Sequence, residues 1–411
     1  MTAVGDIFAP RATAGTPTQG MPNVSSARMR WQMGLEARIL VMLTATLLVF
    51  GLVTLYSASS IVAMQGGHPG WHFLARQLTG VALGLVAFAF TAKWDADRWR
   101  AYAWPMMGVA IFALLLTVLP FTASIAPPIN GSRRFLVGGS IQPSEFGKLA
   151  LVIWTAMLIV KKGGEDGLRR LSKGLFPFLS ILGVLSVLAA LEPDFSVPLF
   201  YALVMFVMLF AAGARVGHFV LIGFALLPLA WREMHRLEYV MRRILGFTGA
   251  SGAEAEVKYQ LTQSLIAVGS GGLFGVGFGQ GVQQYGFLPL PYNDFIGSNI
   301  GEEWGFIGLF GVVLLFALWG WLGFRIAKQA RSPFLQLVAI GVTVTMIVTA
   351  YLHIGVVIGL LPTTGLTLPF VSYGRSNILL SLVLTGILVN IGSTRAMVRA
   401  GGGSDPLMAS R

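Results

Sequence analysis

The chain has 411 residues, 55% of them hydrophobic and 11% charged, with a formal net charge of +12; soluble domains carry about 25% charged residues. So few charges cannot coat a soluble particle of this size, and the absence of cysteine excludes a disulfide framework, a thiolate zinc site and a cysteine nucleophile. The Lys and Arg do not gather on one soluble module, which argues against nucleic acid as a partner, and the composition describes an all-α integral membrane protein.

A membrane-spanning helix needs about 20 mostly apolar residues. Ten stretches meet that need, at residues 38–58, 73–92, 101–121, 143–160, 176–191, 195–212, 216–230, 304–323, 334–360 and 377–391. The tails, 1–37 and 396–411, lack an apolar period and read as disordered. The polar residues ahead of the first span, with no small-residue cleavage site after it, argue against a cleaved signal peptide. Ten spans put both tails on one side. With that side cytoplasmic, most of the 29 Lys and Arg fall in inner segments, as the positive-inside rule requires. The unusual segments are then all external: residues 122–142, a large extracytoplasmic loop between helices 7 and 8 (about 231–303), and the Pro/Gly-rich 361–376.

In chain order, Asn130-Gly-Ser-Arg-Arg134 sets Arg133 and Arg134 at the outer surface, where guanidiniums suit phosphate oxygens; a solvated loop is the alternative. Span four opens Gln142-Pro-Ser-Glu-Phe-Gly-Lys148, and the spacing of Glu145 and Lys148 lets them pair on one helix face. Charges inside a bilayer face a partner or a cavity, so the pair either lines a polar cavity or ties helices together. Glu192-Pro-Asp194 sits at an outer turn, where Asp194 is equally placed to cap span six. In the long loop, Val257, Leu261, Leu265 and Val268 recur at helical spacing, as do Val240, Ile244 and Phe247 with Arg242 and Arg243 off their stripe. Both read as amphipathic interfacial helices; they either cover the bundle or, through Arg242 and Arg243, hold a lipid diphosphate.

The run Gly269 to Gly281 is no nucleotide loop, since no strand precedes it and no Gly-Lys-Ser/Thr follows. Its glycines fit tight turns and close backbone approach. Beyond it, Asp294 is the only acid between Glu256 and Glu302, set between Tyr292 and Phe295 just past two prolines. A carboxylate in such a half-apolar setting suits a general base for a hydroxyl; a helix N-cap is the other reading. Residues 361–376 are too irregular for a hairpin loop and fit a segment re-entering the membrane beside a site, with Arg375 as its cation. His353 reads as an interior histidine with its bonds satisfied. Five His and no Cys leave no protein-only metal cage, and only an oxygen-ligated divalent ion, Mg or Mn, stays open.

Taken in order, these segments resemble the SEDS family of membrane glycosyltransferases over about residues 38–395. The resemblance rests on Asn130–Arg134, Ile141–Lys148, Glu192-Pro-Asp194, Tyr259–Gly275, Gly286-Phe-Leu-Pro289, Asn293-Asp-Phe-Ile296 and Leu361–Gly374. Asn-Gly-Ser-Arg-Arg and Leu-Pro-Thr-Thr-Gly-Leu are more similar to the division branch, FtsW, than to the elongation branch, RodA. The resemblance implies a ten-helix fold that polymerises lipid II into glycan strands on the outer face of the bacterial cytoplasmic membrane, at the division septum. It implies that Asp294 matches the family's essential loop aspartate, Glu145 and Lys148 its paired charges, and Asp194 its Gln-Pro-Asp acid. A class B penicillin-binding protein of the FtsI type and other membrane proteins of the division machinery are the expected partners. The chain departs from the family pattern at Tyr292-Asn-Asp-Phe (usually His-Thr-Asp-Phe), Tyr373-Gly-Arg-Ser376 (usually Tyr-Gly-Gly-Ser), Thr364 (often Lys), His353 (often Asn) and Glu192 (usually Gln). A lipid II flippase and a non-catalytic septal scaffold are the rival functions.

Overall fold

The computed structural model describes residues 27–122, 124–127, 133–136, 139–168, 174–192, 194, 196–220, 224, 241, 247 and 255–399. Its main unit, Met33–Ser393, is built of helices: α1 (Leu35–Gln65), α2 (His72–Lys93), α3 (Trp99–Val118), α4 (Pro143–Lys161), α5 (Phe176–Leu191), α6 (Ser196–Ala211), α7 (Ala255–Ser270), α8 (Ile296–Lys328), α9 (Pro333–Val357) and α10 (Arg375–Ile391). Of these, α1, α2, α3, α4, α8 and α9 are long and apolar enough to cross a membrane, and α5, α6 and α10 are shorter apolar helices. All predicted spans but one therefore coincide with a described helix. Residues 216–220 of the span at 216–230 are helical, and most of its remainder lies outside the described residues, as do Arg242 and Arg243. The second unit comprises residues 1–32 and 394–411. Strands β1 (Ala27–Met33) and β2 (Ser393–Arg399) pair as a two-stranded sheet.

A helix that is apolar all round belongs in the interior, and α4 occupies that place, with every residue from Leu149 to Ile159 buried. Elsewhere the helices approach through small residues, the usual device where lipid offers no hydrophobic drive. A Cβ at Gly84 of α2 would meet Leu382 of α10 at 2.5 Å, and one at Gly386 would meet the Thr91 hydroxyl at 2.1 Å.

The predicted eighth span starts at residue 304, but α8 starts at Ile296 and breaks at Gly305 (φ 65°, ψ −163°). The break leaves two carbonyls and two amides without their helical partners. The Gly-rich run supplies substitutes: Val276 N and Gly277 N donate to Glu302 O and Glu303 O (2.9 and 3.1 Å), while Phe306 N and Ile307 N donate to Gly272 O and Leu273 O (2.9 and 3.2 Å). Only glycine permits this approach. A Cβ at Gly275, whose φ is +83°, would lie 2.1 Å from Glu303 O, and one at Gly271 would lie 1.9 Å from Gly301 O. Glu302 then latches the run by accepting from Val282 N at 2.8 Å, and Glu303 accepts from Ser57 of α1. These buried acids lowered the hydropathy of the first turns and so hid the true start of α8.

Helix α7 packs on the bundle through Leu261, Ser264 and Ala267, all buried, whereas Leu265 is exposed. Ser264 Oγ donates to Val357 O (2.8 Å) and meets Ser298 Oγ at 2.7 Å. The face that docks is thus partly polar, and of the expected stripe Val257, Leu261, Leu265 and Val268 it takes in Leu261 and Val268 but not Leu265.

Candidate active site

Asp294 sits in the turn between the Gly-rich run and α8, half-buried. Phe295 anchors that turn in an apolar cluster with Leu288, Val356 and Val357. The α8 N-cap is Phe295, without a side-chain cap bond, so Asp294 is not the N-cap. The carbonyls of both preceding residues are held from the 361–376 segment: Tyr373 N donates to Tyr292 O (3.0 Å) and Ser372 Oγ to Asn293 O (2.8 Å). The carboxylate therefore rides on a backbone fixed at two consecutive peptides.

The 361–376 segment is irregular and buried or half-buried throughout, which membrane proteins tolerate where protein or a watery cavity satisfies the backbone. It lies against mid-α1, since a Cβ at Gly51 would meet Phe370 O at 2.5 Å. Its polar groups are met one by one. His353 Nδ1 contacts Leu366 O (2.9 Å), Asn377 Nδ2 donates to Leu368 O (3.2 Å), and Leu368 N donates to Ser372 Oγ (2.8 Å). Gln77 of α2 clasps the turn with both ends of its amide, donating to Ser372 O (3.1 Å) and accepting from Gly374 N (3.0 Å). His353 Nε2 accepts from Gly297 N at 3.3 Å, so the ring is neutral with its proton on Nδ1, and it joins the start of α8 to this segment.

A second group of charges surrounds the start of α4. Lys148 Nζ donates to Glu145 Oε1 at 2.6 Å and lies 4.9 Å from the centroid of Phe200; among the described residues Glu145 Oε2 has no partner. Both side chains are under 10% exposed. Tyr201 of α6 donates to Ser144 O at 2.8 Å and lies within electrostatic reach of Glu145, Glu192 and Asp194. Asp194 caps α6 by accepting from Ser196 N and Val197 N (3.2 and 3.4 Å), and it also pairs with Arg134 Nη1 at 3.4 Å. Arg134 Nε donates to Glu192 O at 3.2 Å, and its Nη1 lies 3.8 Å from where a Cβ on Gly365 would stand.

Burial pushes the Glu192 carboxyl up to about 8, with Asp194 adding to the rise while Thr117 and Arg134 oppose it. Thr117 Oγ1 lies within hydrogen-bond reach of both Leu114 O, at 2.6 Å, and Glu192 Oε1.

A family profile described as cell cycle protein, spanning FtsW, RodA and SpoVE, matches residues 38–396. The chain belongs to the FtsW/RodA/SpoVE family. Among its curated relatives, a probable peptidoglycan glycosyltransferase FtsW of Trichlorobacter lovleyi is 38% identical over 86% of this chain and 92% of that protein. Stage V sporulation protein E of Bacillus subtilis is 36% identical over 86% and 96%. Among solved structures, Thermus thermophilus rod shape determining protein RodA aligns with a TM-score of 0.61 and 26% identity over 86% and 95% of the two chains. A chain of a peptidoglycan synthase complex that coordinates polymerisation and crosslinking shares the fold at TM-score 0.71 and 24% identity, over 86% and 97%.

Within this family fold, the 361–376 segment joins the residues singled out by sequence. It holds the Asp294 turn through Ser372 and Tyr373, passes near Arg134 at Gly365, and carries Arg375, whose Nη2 donates to Ser140 Oγ (2.6 Å). Ser376 Oγ bonds the same α3–α4 connection, donating to Ser140 O and accepting from Gln142 N (3.0 and 2.9 Å). Arg133 points back to Leu119 O at 3.4 Å. Among the described residues, no three His, Cys, Asp or Glu converge to hold a metal. Sequence reasoning missed Gln77, Ser372, Thr117 and Tyr201. Gln77 carried a signal, an amide inside an apolar span; the others differ in nothing from ordinary hydroxyl residues until their partners are in place.

Proposed function

We propose that this chain is a peptidoglycan glycosyltransferase that polymerises lipid II on the outer face of the bacterial cytoplasmic membrane during septal wall synthesis, both termini cytoplasmic. The observation that carries this is a half-buried carboxylate, Asp294, fixed at consecutive peptides against a segment that also passes near Arg134 and bears Arg375. Family membership and FtsW-named relatives supply the reaction class.

Asp294 takes the proton of the acceptor GlcNAc 4-hydroxyl as that oxygen bonds C1 of the donor MurNAc. The C1–phosphate oxygen bond breaks, and undecaprenyl diphosphate leaves with the electron pair. Arg134 and Arg375 are the cations placed to offset the diphosphate charge, the kind of preorganised stabilisation that dominates such transfers. Glu145 and Lys148, buried and mutually paired, position the start of α4. A Mg or Mn ion would take most of its ligands from the diphosphate and water, since the chain offers no acidic cage among its described residues. A class B penicillin-binding protein is the partner that crosslinks the product.

The test is purified protein, alone and with such a partner, given lipid II, with glycan length read on gels. General-base catalysis is worth about 10²–10⁴-fold, so Asp294→Ala should slow polymerisation by at least about a hundredfold while the protein stays folded. A folded Asp294→Ala protein that still builds long strands removes the role. Lipid II crossing between leaflets without strand synthesis assigns a transporter instead.

A further inference from the structure

Three half-buried rings close on one another next to Asp294. Phe73, in the first turn of α2, lies 4.5 Å from Tyr292 between centroids, with 31° between planes, and 5.4 Å from Tyr373 at 86°. Tyr292 and Tyr373 complete the triangle at 5.7 Å and 80°. The bond from Tyr373 N to Tyr292 O, 3.0 Å long, and the Gln77 clasp on either side of Tyr373 fix their spacing.

A tyrosine hydroxyl taken out of water ordinarily finds a partner. Neither of these phenols has one among the described residues, and neither oxygen is sealed in the interior. Burial, with Tyr373 and then Asp294 beside it, raises the Tyr292 phenol above its usual value, so it keeps its proton and stays a donor. If the rings served only to pack α2 against the two loops, phenylalanine would do as well. The flat faces and two free hydroxyls beside a carboxylate match a ligand with an apolar face and a polar rim. A pyranose ring has that form. A lipid tail has no use for the hydroxyls, and a diphosphate requires cations that the triad does not contain.

We propose that Tyr292 and Tyr373, backed by Phe73, form the subsite that receives the acceptor sugar of the polymerisation and present its hydroxyl to Asp294. This rests on the glycosyltransferase reading above. The C–H face of the N-acetylhexosamine stacks on the rings, and its hydroxyl or acetamido groups bond the phenols. The stitched backbone at Tyr292 and Asn293 then sets the distance from sugar to carboxylate.

The experiment measures binding to the full-length protein carrying Asp294→Asn, which prevents turnover, using lipid II and undecaprenyl diphosphate as separate probes. Tyr292→Phe removes one hydrogen bond and should weaken lipid II by about 3–10-fold. Tyr292→Leu keeps apolar bulk against Phe73 but removes the flat face as well, and should weaken it by about 10–30-fold. Undecaprenyl diphosphate, which has no sugar, should bind all three proteins alike. In the otherwise wild-type chain, the same changes should raise KM for lipid II more than they lower kcat. Lipid II affinity unchanged by Tyr292→Leu overturns the subsite. So does equal weakening of both probes, which assigns the rings to loop packing. A wild-type protein that binds lipid II with these differences yet makes no glycan would instead overturn the catalytic reading and leave the subsite standing.

Discussion

Lys148→Met leaves the Glu145 carboxylate inside the bundle without the ammonium that Oε1 bonds at 2.6 Å, while Oε2 has no partner among the described residues. Breaking a buried pair on one side typically costs about 3–5 kcal/mol, because the remaining charge is stranded, whereas replacing both partners by neutral groups is close to neutral. An unfolding entropy of about 2.1 cal/mol/K per residue, taken over 411 residues, turns that loss into a fall in Tm of roughly 4–6 °C. Glu145→Gln alone, which leaves a buried ammonium, should fall by a similar amount. The double variant Glu145→Gln/Lys148→Met should regain most of it, giving a coupling energy of several kcal/mol. Thermal unfolding in detergent micelles, followed by tryptophan fluorescence, measures all four proteins. Because the pair is assigned to positioning α4, polymerisation should return with stability in the double variant. Single variants that melt within about 1 °C of wild type, or a double variant as unstable as the sum of the singles, would refute the buried-pair reasoning.

Two further outcomes follow from particular contacts. The Glu192 carboxyl is raised in the folded protein from an ordinary 4.5 to about 8, so the native state holds a proton that the unfolded chain has lost. The stability this gives is complete below about pH 4.5 and is lost as pH rises through about 8. Wild-type Tm should therefore fall between about pH 6 and pH 9, and Glu192→Gln, which has no proton to lose, should flatten that slope; an unchanged slope would show that another group titrates. Gly275→Ala places a Cβ 2.1 Å from Glu303 O at φ +83°, and strain plus overpacking should cost about 2–5 kcal/mol. Gly272→Ala, at φ +54° with open space around it, should cost only about 1–2 kcal/mol; equal melting losses would contradict the splice described for α8.

Much of this protein was legible in the sequence because hydropathy and charge report directly on the bilayer. The spans at 73–92, 143–160 and 176–191 match α2, α4 and α5 to within a residue. The Glu145–Lys148 pair followed from helical periodicity, and the interior role of His353 from its apolar surroundings. The irregularity of 361–376 suggested a segment re-entering the membrane beside a site, and the structure shows it lying close to Gly51 of α1. The start of α8 was not legible, because Glu302 and Glu303 read as loop residues until the Gly-rich run is seen to satisfy them. Asp194 was placed equally well as a cap or a charge, and the structure uses it as both.

The sequence by itself determined that the chain lives in a membrane, where its helices run, and which acid stands alone between Glu256 and Glu302. Those properties depend on composition and on neighbours a few residues apart. Tertiary structure decided what the acid is near. Gln77, Tyr292, Ser372 and Arg134 come from segments far apart in the chain, and they meet around residues 361–376. That meeting follows from the requirement that every peptide group withdrawn from water find a partner, and no local pattern states which partner it will be.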